Sequence, residues 1–88
     1  MEKSYAEGPF LRPRSDADRA LHRLTRELIA ARVRAGLTQQ DVARRMGTTN
    51  SAVSRLECGL LHRPTLTMIE NYALVVGCRV DIHLLPWR

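Results

Sequence analysis

The stretch Thr38 to Glu57, TQQDVARRMGTTNSAVSRLE, decides how this chain folds. Thr38 with Asp41 three residues on has the form of a helix start, in which a side-chain oxygen satisfies an unpaired amide of the first turn. Gly47 supplies the stop, because glycine takes the left-handed conformation that ends helices. Thr49 then caps a second helix, Asn50 to Glu57, which closes at Gly59. Two helices joined by so short a turn bring their axes close. That favours the small Ala43 at the crossing, with Val42, Met46, Val53 and Leu56 as the core beneath. The unit leaves an outward face of Asn50, Ser51, Ser54 and Arg55 on the second helix.

Outward from this unit the punctuation continues. Residues 1–14 carry Gly8, Pro9 and Pro13 with mixed charge and no period, and are expected to form a flexible arm. Ser15 and Asp18 resemble a capping box. Leu21, Leu24, Leu28, Ala31 and Ala35 then recur at steps of three and four, which predicts a long amphipathic helix ending at Gly36. Ile29, Val33 and Leu37 are expected to widen its buried face. After Pro64, Thr65 can cap a helix from Leu66 to Val76, stopped by Gly77, with Ile69, Tyr72 and Val76 at core spacing. In Arg79 to Leu85 the period becomes two: Val80, Ile82 and Leu84 alternate with Arg79, Asp81 and His83, the pattern of a half-buried strand. With no second strand in the chain, its backbone needs a partner, most simply the same strand of a twofold mate. The expected organisation is an arm (1–14), a helical domain (15–77) and a strand and tail (78–88) that dimerises.

Composition bounds the function. The chain has 88 residues, 44% apolar and 26% charged, enough for one small domain. Fourteen Lys and Arg against nine Asp and Glu give a net charge of +5, which points to a polyanionic partner, nucleic acid before an acidic protein or lipid surface. No apolar run approaches the ~18 residues of a membrane span, and the start MEKSYAEGPF lacks the apolar stretch of a secretory signal, so a cytoplasmic protein without membrane contact is expected. Cys58 and Cys78 are too few for a disulfide scaffold and are read as reduced thiols.

The segment from about Ile29 to Val76 resembles the helix-turn-helix domain of the Cro and phage-repressor (Xre) family. The resemblance rests on Gly36-Leu37-Thr38-Gln39, the Ala43 and Gly47 pair, Thr48-Thr49-Asn50, the stretch VSRLE from Val53 to Glu57, and Gly59. It implies a mainly α, lambda-repressor-like domain of four to five helices. It also implies a sequence-specific regulator, most simply a homodimeric repressor that places its second motif helix in the major groove of an inverted-repeat operator. Asn50, Ser51 and Arg55 match the base-reading positions, where Arg55 suits guanine and Asn50 adenine. Gln39 and Thr49 match phosphate-binding positions at helix N-termini, and Ser54, Arg44 and Arg63 join them as backbone contacts, with His62 in the same loop as Arg63. The better-known phage repressors often carry glutamines at the base-reading positions, and this chain departs from them there, so no operator sequence carries over. Glu57 matches a residue that pairs with an arginine of the first helix, here Arg32. The appended strand and arm also resemble antitoxins of the HigA-like branch, which implies an alternative: a toxin protein as main partner, bound through the arm or first helix, and DNA binding for autoregulation. Tyr5, Phe10 and Leu11 would be the arm's apolar anchors.

Other constellations weigh less. The arginines at 12, 14, 19, 23, 26 and 34 read first as a solvated face, and Arg44 and Arg45 are equally open to phosphate contact and solvation. Cys58, His62, Cys78 and His83 are zinc-ligand types, but their spacings match no common zinc module, so neither metal nor cofactor is expected. Ser54, His62 and Asp81 lack the context of a nucleophile elbow, and no glycine-rich loop cradles phosphate, so the chain is not read as an enzyme.

Overall fold

The computed structural model describes residues 16–59 and 64–86, with the side chains of residues 16–18 excluded. Among the described residues four helices follow one another: α1 (Asp16–Arg34), α2 (Gln39–Met46), α3 (Asn50–Glu57) and α4 (Leu66–Val75). The expected arm, Ser15 of the first cap, and the loop holding His62 and Arg63 lie outside the described residues.

Caps set the boundaries. The Thr38 hydroxyl accepts from the Asp41 amide at 3.0 Å while the Asp41 carboxylate accepts from the Thr38 amide at 2.9 Å, a complete capping box. The bond from the Thr38 amide, followed by one from the Arg44 guanidinium, holds the Asp41 carboxyl below the usual carboxylate range. Thr49 and Thr65 cap α3 and α4 through the amides of Ala52 (3.0 Å) and Met68 (3.1 Å). At the end of α2, Gly47 sits at φ +73°, and the amides of Gly47 and Thr48 return to the carbonyls of Arg44 and Ala43. These two bonds satisfy carbonyls that the last turn would leave open. The same pair of bonds closes α1 at Gly36 and Leu37, and α4 at Gly77 and Cys78.

α1 packs on α3 and α4, and α2 on α3 and α4. The core is Leu28 and Ala31 of α1, Val42 and Ala43 of α2, Val53 and Leu56 of α3, and Ile69, Tyr72 and Ala73 of α4, with Val76 after it. Ala43 is only 2% exposed where α2 packs on its neighbours, so any larger side chain would push α2 from the helices it crosses.

Two expectations about α1 fail. Val33 is 63% exposed and Ala35 is exposed, so neither belongs to the buried face; Ile29 and Leu37 are half-buried. A helix lying on one layer of neighbours buries one stripe, and Val33 lies on the far side from Leu28 and Ala31. The buried Thr25 spends its hydroxyl within α1, donating to the carbonyls of Leu21 (3.0 Å) and His22 (2.9 Å).

Among the described residues there is no strand. Residues 78–86 are irregular, and Val80, Ile82 and Leu84 do not share one environment. Val80 packs half-buried against the core, while Ile82 is 60% and Leu84 94% exposed. A strand is defined by hydrogen bonds to another strand, and the described residues offer none.

Candidate nucleic-acid interface

The site is built from the inside outward. Glu57, the last residue of α3, is a nearly buried carboxylate, and the three other described helices converge on it. Arg32 of α1 grips it with two bonds, Nε to Oε2 at 2.7 Å and Nη2 to Oε1 at 3.0 Å. Gln39, the first residue of α2, donates its amide to Oε1 at 2.9 Å, and the fully buried Tyr72 of α4 donates its hydroxyl to Oε2. The remaining reach of Arg32, Nη1, caps the α1–α2 turn through the Leu37 carbonyl at 3.0 Å.

Burial by itself would raise the Glu57 carboxyl. The bonds from Arg32, Tyr72 and Gln39 outweigh it and hold the carboxyl below its usual range. Burial, aided by the adjacent carboxylate, pushes the Tyr72 hydroxyl well above its ordinary value. The Glu57 bonds likewise raise Arg32. The network is therefore charged, satisfied and fixed at neutral pH, which is the condition for a buried ion pair to hold a structure in one arrangement.

Fixing Glu57 fixes the helix that carries it. Val53, Leu56 and Glu57 form the inner face of α3; Ser51 and Arg55 are exposed on the other, Asn50 is exposed at the N-terminal end, and Ser54 is half-buried. Thr49 is exposed at the N-terminus; its hydroxyl oxygen is used as the cap acceptor, and its hydroxyl proton is available to an outside acceptor. The positions expected to meet bases thus share one outward surface with the α3 N-terminus, where the helix dipole favours anions.

The other expected backbone contacts divide. Gln39 is half-buried with its amide turned to Glu57, so one amide hydrogen and the carbonyl oxygen remain for other partners. Arg44 is exposed and pairs with Asp41 at 2.9 Å across one helical turn, a weak, solvated contact. Arg63 lies outside the described residues. Cys58 and Cys78 are free half-buried thiols, and among the described residues no group of three or more ligand-type side chains comes together. No helix among the described residues is long and apolar enough to cross a membrane.

Sequence reasoning missed the convergence on Glu57. It paired Arg32 with Glu57, but placed Tyr72 in an apolar core and gave Gln39 only an outside role. A tyrosine at a fully buried position is the available signal, since its hydroxyl must find a partner there.

Residues 28–82 match the family model described as helix-turn-helix. No curated protein and no solved structure matches the chain.

Proposed function

The chain belongs to the Cro/C1-type, Xre-like helix-turn-helix family, and from that premise we propose that it is a sequence-specific regulator that binds duplex DNA through α3. The observation that carries this reading is the two-sidedness of α3. Its inner face is locked by Val53, Leu56 and the Glu57 network, while Ser51 and Arg55 stand exposed on its outer face and Asn50 at its N-terminal end. In this account Arg55 reads guanine O6 and N7, Asn50 reads adenine, and Thr49, Gln39, Ser54 and Arg44 hold the phosphates. The net charge of +5 adds attraction that is independent of sequence.

The active form is a homodimer joined through the tail, and its action is repression of transcription from the DNA it occupies. Ile82, Leu84 and Leu85 are large apolar side chains left 60%, 94% and 84% exposed, which favours a covering partner. Asp81 and His83 approach to 3.1 Å, the i, i+2 relation of side chains on one face of extended chain. Pairing of two such tails would supply the missing ladder, and the twofold axis would place two α3 helices about 34 Å apart.

Selection from a pool of random duplexes tests this directly. The expected product is an inverted repeat whose half-site centres lie about ten base pairs, or a multiple, apart. Recovery of no common sequence would reject sequence-specific reading; recovery of a lone half-site would reject the dimer.

A further inference from the structure

The face of α1 turned away from the core has an order of its own. Arg19, Arg23, Arg26, Ala30 and Val33 are all exposed, at successive steps of four, three, four and three residues. At 3.6 residues per turn they fall within about 80° of arc and run about 21 Å along the helix. The buried stripe through Leu24, Leu28 and Ala31 lies on the opposite side. The spacing is that of a seam that packs against another helix. Its N-terminal part is wholly basic, and its C-terminal part is a small residue followed by a valine that is 63% exposed.

Among the described residues, ion pairs engage Arg32, Arg44 and His83 and none of these three seam arginines. A second copy of α1 is a poor occupant. Antiparallel pairing about Arg26 sets Arg26 on itself and Arg19 on Val33, and parallel pairing sets each arginine on its own copy; Glu27, the exposed carboxylate beside the seam, lies about 40° outside its arc. The duplex held by α3 is also a poor occupant. α1 packs on α3 through its buried stripe, so the seam and the outer face of α3 look in different directions. An apolar step at Ala30 and Val33 has no use against phosphates.

We propose that this seam docks an amphipathic helix of another protein, one that sets carboxylates against Arg19, Arg23 and Arg26 and an apolar pair against Ala30 and Val33. Charge complementarity fixes the partner's sign, and the step pattern fixes its form. Such a partner would occupy the regulator without displacing it from DNA, and the proposal does not depend on which sequence α3 reads.

The test uses the full chain and synthetic helical peptides. Two carry three Glu and two Leu along a seam of four- and three-residue steps, one with Glu first and one with Leu first, so that both chain directions are covered. A third has the same composition scrambled. By fluorescence anisotropy near physiological salt, one ordered peptide is expected to bind at least about tenfold more tightly than the scramble. The combined variant Arg19→Gln, Arg23→Gln and Arg26→Gln, and separately Val33→Asp, are expected to erase that difference. Both should melt as the parent does, and both should keep the parent's salt slope on random duplex. Equal binding of ordered and scrambled peptides overturns the proposal. So does a salt slope on duplex that is shallower by about 2 to 3 in the triple variant, which would assign the arginines to phosphate contacts.

Discussion

The side-chain amide of Gln39 lies 2.9 Å from Glu57 Oε1, so the first residue of α2 and the last of α3 are joined directly. With Arg32 and Tyr72 on the same carboxylate, that one group ties all four helices together. Orientation of the outward face of α3 is therefore set at Glu57, on the opposite side of the helix from Arg55.

Removing the carboxylate should be costly. Glu57→Ala leaves the Arg32 guanidinium without its charge partner and should destabilise the fold by about 3 to 5 kcal/mol. Tyr72→Phe deletes one bond to a charged group and should cost about 1.5 to 3 kcal/mol. Chemical denaturation of the three proteins checks the order; a Glu57→Ala variant as stable as the parent would mean the network contributes nothing.

Stability should form a plateau in pH. The folded Glu57 carboxyl lies below its unfolded value, so its contribution is present above about pH 4.3 and is lost as pH falls through the depressed folded value. The folded Tyr72 hydroxyl lies above its unfolded value, so its contribution is present below about pH 10 and is lost as pH rises beyond it. Melting temperature measured across pH should fall at both ends. Tyr72→Phe should lessen the alkaline fall and Glu57→Gln the acid one; unchanged profiles would contradict the assignment.

Gly47→Ala isolates a backbone effect. A Cβ built there meets nothing within 4 Å, so the penalty is that of φ +73° alone, about 1 to 2 kcal/mol. A larger loss in denaturation would point to a packing role for the turn.

The tail should govern assembly. Combined Ile82→Asp and Leu84→Asp changes alter side chains already exposed, so the variant should fold as the parent does while light scattering shows a monomer of about 10 kDa. Parent and variant of equal mass would remove the tail from the interface.

How much of this could be read in the sequence follows from the range of each interaction. Thr38, Thr49 and Thr65 were legible because caps and their partners lie within three residues. The core of α2 and α3 was legible because period and small residues mark it. Val33 and Ala35 were misread because apolar recurrence does not say how much of a helix its neighbours cover. Gln39 was half-read, since a long amide can turn inward or outward and only the position of Glu57 decides. The alternation of Val80, Ile82 and Leu84 marks a strand only where a second chain supplies the hydrogen-bond partner, and that is no property of one sequence segment.

The most direct measurement is a titration across a salt series of the parent and Arg55→Ala on the selected duplex and on a scrambled one. The account predicts that the parent prefers the selected duplex, that affinity falls steeply with salt on both, and that Arg55→Ala loses about 1 to 3 kcal/mol on the selected duplex only. Equal losses on the two duplexes would move Arg55 to the phosphates, and equal parent affinity for both would contradict sequence-specific binding through α3.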